Sequence, residues 1–533
     1  MDLIMKHAPE RTLEDDVAAI AWSSQRYLES GVTASVDAWV REGMAEAYMA
    51  ADKSGALKID MDLYLLAQPD SWRDNVEYFG QIREQVKALG PKSKLACKTI
   101  KIIGGAYEAA AVNGGDFLAT WLDEVVSDRP VVLQAVDHHT IWVNSKAIEI
   151  AGITAATVDP DGGTIARNPD GSARGTLREP SAMDLIMKHA PERTLEDDVA
   201  AIAWSSDRYL ESGVTASVDA WVREGMAEAY MAADKSGALK IDMDLYLLAQ
   251  PDTWRDNVEY FGQIREQVKA LGSKSKLACK TIKIIGDGAL SAGTAALLSP
   301  YLDDPSSSGL LIWNDDEILD AAVLFDSQGY QLHMHAIGDA AVRQALDTIE
   351  KMVAVNPKWD RRPVITHAQL IDQADLARFA SLGVIANFQP LWTYLDPMNK
   401  ELIAPRIGDE RNNRQYQLRS MVQSGARISY GSDWPVTSYL PLLALAVPTH
   451  RQSPDKWPAE GWSKHEAITV EESLSFYTAG VAYQGFNEKR FGEIAVGMQA
   501  DLMILEQNPL VAEPHDVASI KIRAVYKSGV AVI

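Results

Sequence analysis

Cysteine is nearly absent from this chain: Cys97 and Cys279 are the only two in 533 residues. They fall at the same place in two copies of one segment, so the underlying unit has a single thiol. That excludes a disulfide framework and fits a reducing compartment. No run of about 18 apolar residues occurs, so no helical membrane span is expected. The opening MDLIMKHAPERTLEDD has no apolar stretch after a basic start. No secretory signal is read there, and a cytoplasmic location is expected. Basic residues are in deficit, 51 Lys and Arg against 74 Asp and Glu, for a net charge of −23. This argues against nucleic acid and membrane as partners. No long acidic block is present, so the charge reads as a solvated surface.

What is present is ordinary globular composition, 47% hydrophobic and 23% charged. The length accommodates one large barrel with additions, or about three smaller domains. The most informative feature is a duplication. Residues 1–104 recur as 183–286 and differ only at Gln25/Asp207, Ser71/Thr253 and Pro91/Ser273. Repeats that build solenoids are short, numerous and divergent, unlike these. The second copy runs directly into Asp287 and Gly288, whereas the first breaks into unrelated sequence at Gly105. The second copy is therefore read as the one in its proper context.

Strands alternate with helices from about residue 194 onward. Thr194 is placed as an N-cap, with acidic Glu196 and Asp197 in the first turn, and Gly213 as the helix stop. Strands are expected at 214–220, 241–249, 278–286, 330–338, 363–369, 384–390 and 427–435, with helices at about 224–233 and 254–271. Many such units in one run favour a (β/α)8-type barrel. Two regions break the rhythm. Residues 105–182 contain the turn-rich DPDGGTIARNPDGSARG (159–175), read as hairpins or a long loop. From about Phe491 the pattern becomes short strands and turns, a small β-module.

Histidines, a lysine and an aspartate fall at the ends of these strands. His333 and His335 are two apart on one strand and so share a face. His367 ends the next strand, Asp433 a later one, and Lys283 sits among Ile282, Ile284 and Ile285. In a parallel barrel such positions converge on one mouth. Imidazole and carboxylate suit a borderline cation such as zinc. Taken singly, each has a plainer reading: a packed histidine, a chance HxH, a turn aspartate, a lysine stem on apolar surface. Four in order at strand ends favour a metal site.

The motifs KTIKIIGDG, HMHAIGDAAV, VITHAQ, ISYGSDWPV and FGEIAVGMQADLMIL resemble the amidohydrolase superfamily. The likeness is to the amidohydrolase family 3 branch that includes N-substituted formamide deformylase, and it covers about residues 105–533. PVVLQAVDHHTIWVNSKA and GGTIARNPDG resemble that branch too. The resemblance implies a distorted (β/α)8 TIM-like barrel beside a small β-sandwich. It implies Lys283 as a carboxylated lysine bridging two metals and His335 and His367 as metal ligands. Asp433 is implied as the aspartate that both holds metal and moves the proton. His139 is implied to face the substrate. His333 is placed with it at the pocket, and Trp392 and Trp434 are candidates to line an apolar substrate site or simply to pack.

One part of the family pattern is missing. An HxH pair on the first strand is implied, and none precedes Lys283; the early histidines are His7, His138, His139 and His189. Lys101 repeats Lys283 without the GDG that follows it, and is read as non-functional. The expected organisation is a duplicate at 1–104 outside its native context, an insertion with strands at 105–182, a barrel with the metal site at 183–490, and half a sandwich at 491–533. The expected cofactor is zinc, one ion for this chain where the family holds one or two. The expected activity is hydrolysis of a non-peptide C–N bond in a small-molecule amide or cyclic amide. The rivals are an ester or lactone hydrolase on the same scaffold, and a rearranged barrel with no chemistry. An uncovered sandwich edge leaves self-association open as the protein partner.

Overall fold

The computed structural model describes residues 12–29, 34–40, 44–58, 60–67, 93–102, 116–124, 126–135, 138–190 and 194–533, with a few positions between 82 and 89. Its central sheet has seven parallel strands: β8 (Ala216–Val222), β9 (Asp242–Ala249), β10 (Leu277–Ile285), β11 (Gln331–Ala336), β12 (Val364–His367), β13 (Ile385–Phe388) and β14 (Arg427–Tyr430). They lie side by side in chain order. Earlier in the chain, β1 (Ala34–Val40), β2 (Asp60–Ala67) and β3 (Leu95–Ile102) form a separate parallel sheet. β4 (Val132–Gln134), β5 (Thr140–Val143), β6 (Thr164–Arg167) and β7 (Ala173–Arg178) form an antiparallel sheet. β15 (Leu502–Leu505), β16 (Ile522–Lys527) and β17 (Val530–Ala531) form the C-terminal antiparallel sheet.

Among the described residues the central sheet shows seven of the expected eight strands. Among the described residues the outer edges of β8 and β14 bond to no strand, and the barrel does not close. The reason lies in the duplication. β1 repeats the sequence of β8 and pairs with β2 as β8 pairs with β9, so the first copy makes its own sheet. That sheet has its own small core around Ala45, Met49, Leu57 and Met61. The side chain of Lys101 lies outside the described residues.

The central sheet is nevertheless curled. Laid flat, its outer strands would stand roughly 29 Å apart at the usual strand spacing. Yet Trp434, just beyond β14, touches Tyr209 on the helix that feeds β8, with ring centroids 5.8 Å apart. Helices pack on the outside, as alternation of strand and helix requires. The helix Leu195–Glu211 starts at a capping box, in which Thr194 Oγ1 accepts from the Asp197 N–H and the Asp197 carboxylate accepts from the Thr194 N–H. It ends before Gly213, whose φ of +84° suits glycine and where a Cβ would meet Met503 Sδ at 2.3 Å. That close approach seats the C-terminal sheet. The helix Asp315–Ser327 begins at the Asn314 cap, with three acids in its first turn. Trp254, Phe261, Phe325 and Tyr330 pack edge to face or tilted between the helices and the sheet.

The C-terminal segment also docks through histidines. His450 and His515 stack with centroids 3.9 Å apart, and Gln452 holds both: its N–H donates to His450 Nδ1, and its side-chain oxygen accepts from His515 Nε2. Burial lowers His450 to about 4, with His515 and Lys464 adding to it, and burial lowers His515 as well. A folded-state pKa below the unfolded value means that the unfolded chain binds more protons in the window between them. Stability is thus full above about pH 6.5 and falls as pH drops towards 4. We expect a loss on the order of 1 kcal/mol after solvent screening. Urea midpoints at pH 7.5 and 5 should show it, and His450→Phe should flatten the difference.

Candidate metal and substrate site

The carboxyl ends of the strands open onto a cavity of about 1490 Å³. Lys283, His335, His367, Asp433, His139, His333, Trp392 and Trp434 all line it. Strand periodicity explains the convergence. On β11, every residue of which is buried, His333 and His335 share the cavity face while Leu332 and Met334 face the helices. Lys283 lies two residues before the end of β10, beside His333 in register, and its Nζ is 3.3 Å from His333 Nδ1. His367 is the last residue of β12. Asp433 lies three residues past the end of β14. His367 and Asp433 hold positive φ, +73° and +53°, which is costly for residues with a Cβ and common where a side chain must be aimed at a site.

Each imidazole is oriented by a partner. His367 Nδ1 is 2.7 Å from Gln389 Oε1, an acceptor, which puts the proton on Nδ1 and the lone pair on Nε2. His335 Nε2 is 3.2 Å from the Gly288 carbonyl, which leaves Nδ1 with the lone pair. The two rings are 4.5 Å apart. Trp392 stacks on His367 at 5.4 Å, and its indole N–H donates to Thr437 Oγ1. Burial pushes His367 down to about 4, against the opposing pull of Asp433. Burial also lowers His333 and His335 well below the ordinary range. Lys283 is lowered to about 7 by burial, with Asp433 opposing.

Among the described residues, no three His, Cys, Asp or Glu side chains are gathered tightly enough to hold an ion by themselves. Lys283, on the same cavity wall, is a further donor that could complete such a set. The donor set fits that use: two buried neutral imidazoles with fixed tautomers, and a lysine whose burial disfavours the ammonium form.

Sequence reasoning missed several residues. His139 lies in the connection between β4 and β5, immediately before β5. That connection places its ring 5.3 Å from His335 and its Nδ1 2.8 Å from Glu179 Oε2. Glu179 was not foreseen. It is fully buried, holds φ +66° and also accepts from Thr294 Oγ1 at 2.6 Å. Asp287 was visible only as part of a motif. Its carboxylate accepts from the N–H groups of Ile337, Gly338 and Ala296, tying the loops after β10 and β11 together. Burial pushes Asp287 up to about 7 against those three donors. A Cβ on Gly288 would lie 2.1 Å from both Glu179 Oε1 and Thr294 Oγ1. Gly288→Ala should therefore destabilise by about 2 kcal/mol through overpacking. Thermal unfolding would read it, and an unchanged midpoint would contradict the packing described.

Comparison with known proteins agrees with this architecture. The profile of the amidohydrolase family matches residues 56–533. The chain is 28% identical to the putative amidohydrolase YtcJ of Bacillus subtilis over 91% of its own length and 87% of that protein. It is 27% identical to the N-substituted formamide deformylase of Arthrobacter pascens, over 77% of this chain and 74% of that one. A crystal structure of an uncharacterized metal-dependent hydrolase from Pyrococcus horikoshii OT3 superposes with a TM-score of 0.62 at 22% identity, covering 90% of this chain and 86% of that one. Membership of the amidohydrolase family supports a metal-dependent hydrolase, and this chain belongs to that family. No helix among the described residues is long and apolar enough to cross a membrane.

Proposed function

We propose that the cavity hydrolyses a non-peptide C–N bond in a small amide or cyclic amide. A single divalent ion, zinc, would be held by Lys283 in carboxylated form, His335 and His367. The observation that carries the reading is the convergence of Lys283, His335, His367 and Asp433 on one cavity from four strands of one sheet. When bound, zinc supplies Lewis-acid polarisation of the carbonyl and a lower pKa for the attacking water. Asp433, on the cavity wall and within electrostatic reach of Lys283 and His367, takes the proton of the attacking water and hands it to the leaving nitrogen. His139, held by Glu179, and His333, held against Lys283, orient the substrate. Trp392 and Trp434 supply apolar wall that keeps bulk water away. The name of the Arthrobacter relative supports an N-substituted formamide as the first substrate to try.

A second reading has its own observation. The edges of β8 and β14 are unpaired among the described residues, and no HxH precedes Lys283. A chain so arranged would bind metal poorly and do no chemistry. The deciding experiment compares an N-substituted formamide with the matched formate ester, with zinc and bicarbonate present. Amide turnover supports the proposal. Ester turnover alone moves it to the ester class, and turnover of neither by a chain that retains no zinc favours the inert reading.

A further inference from the structure

Beside Asp433, the same cavity has an aromatic corner. Tyr209 and Trp434 lie 5.8 Å apart at 75°, Tyr209 and Tyr439 5.7 Å at 81°, and Trp434 and Tyr439 5.6 Å at 79°. The three rings pack edge to face in one part of the cavity wall, so a guest seated on a ring face there comes within the roughly 6 Å reach of cation–π attraction. All three rings line the cavity, and so does Asp219.

Asp219 supplies the charge. Its Oδ2 accepts from the Tyr230 hydroxyl at 2.8 Å and its Oδ1 from the Trp221 N–H at 2.9 Å. A carboxylate has about four acceptor positions, so these two bonds leave it able to take a cation. Among the described residues, the groups that act on it are Tyr230 and Trp221, neither of them a cation. Arg223 is engaged with Asp184 and Arg208 with Glu211. Burial raises Asp219, and its charge is felt at the Tyr209 hydroxyl. An acid lining the same cavity as three aromatic rings, in a chain of net charge −23, is suited to a positively charged guest.

We propose that Tyr209, Trp434, Tyr439 and Asp219 form a binding site for a small organic cation of the alkylammonium class. That this cation is one end of the hydrolysed amide rests on the hydrolase reading; the binding itself does not. The substrate would then carry its ammonium against the rings and Asp219 and its amide towards Lys283, His335 and His367.

The test uses the full chain and two probes of one shape, (2-hydroxyethyl)trimethylammonium and its neutral isostere 3,3-dimethylbutan-1-ol. Binding is followed by tryptophan fluorescence and calorimetry at fixed ionic strength. The cation should bind at least about tenfold tighter than the alcohol. Asp219→Asn should remove about that factor. Tyr439→Phe should keep the affinity and Tyr439→Leu should lose it, which guards against a poorly folded Asp219 variant. Equal binding of the two probes, no binding of the cation, or an Asp219→Asn or Tyr439→Leu variant that is folded and unchanged would overturn the site. Cation binding without amide hydrolysis would count against the hydrolase reading alone. Hydrolysis of neutral amides without cation binding would count against this site alone.

Discussion

Asp433→Asn should lower amide turnover by about 10²–10⁴, the usual range for removing a general acid–base group, while leaving most of the metal in place. Asp433 follows β14 in a left-handed backbone conformation and lines the cavity with Lys283 and His367. The asparagine keeps the side chain's size and one acceptor oxygen but cannot take the proton from water or carry it to the leaving nitrogen. Steady-state kinetics with metal analysis on the same sample separates the two effects. A variant with normal turnover, or one that loses metal and activity together, would move proton transfer to another group.

His335→Ala and His367→Ala should each empty the metal site, leaving less than about a tenth of an equivalent of zinc, because each removes one of only three protein ligands. The rings stand 4.5 Å apart, with opposite nitrogens tied to Gly288 and Gln389. Gln389→Leu should have a milder effect, about 10–100-fold in zinc affinity, because it releases the tautomer and orientation of His367 while keeping the ligand. Competition with a chromogenic chelator would rank the three. Equal loss in all of them would mean that the alanine variants act through folding.

The parts legible in the sequence were those set by local pattern. Thr194 as a helix cap, the strand ending at His367 and the shared face of His333 and His335 follow from capping chemistry and from periods of 3.6 and 2. The motifs around Lys283, His335, His367 and Asp433 carried the family. The parts not legible depend on residues far apart. Glu179 meets His139 across 40 residues and Thr294 across 115, and no periodicity marks it. The aromatic corner joins Tyr209 to Trp434 and Tyr439 only because the sheet curls. The stretch FGEIAVGMQ read as strands, yet the C-terminal sheet begins at Leu502. Ile494 and Val496 there are almost fully exposed, at 91% and 107%, so β-propensity had no packed partner to act on.

The open edge bears directly on metal stoichiometry. With seven strands in the central sheet among the described residues and no HxH before Lys283, the proposed ligands Lys283, His335 and His367 suffice for one ion. An unmodified lysine amine is a poor ligand while protonated, so bicarbonate should raise occupancy by supplying the carboxylated form. The most direct measurement is zinc per chain, by elemental analysis after equilibration with zinc and bicarbonate and removal of loosely held ions. We predict one equivalent in the parent chain and almost none in His367→Ala. Two tightly held equivalents, or none under these conditions, would contradict a single site built on Lys283, His335 and His367.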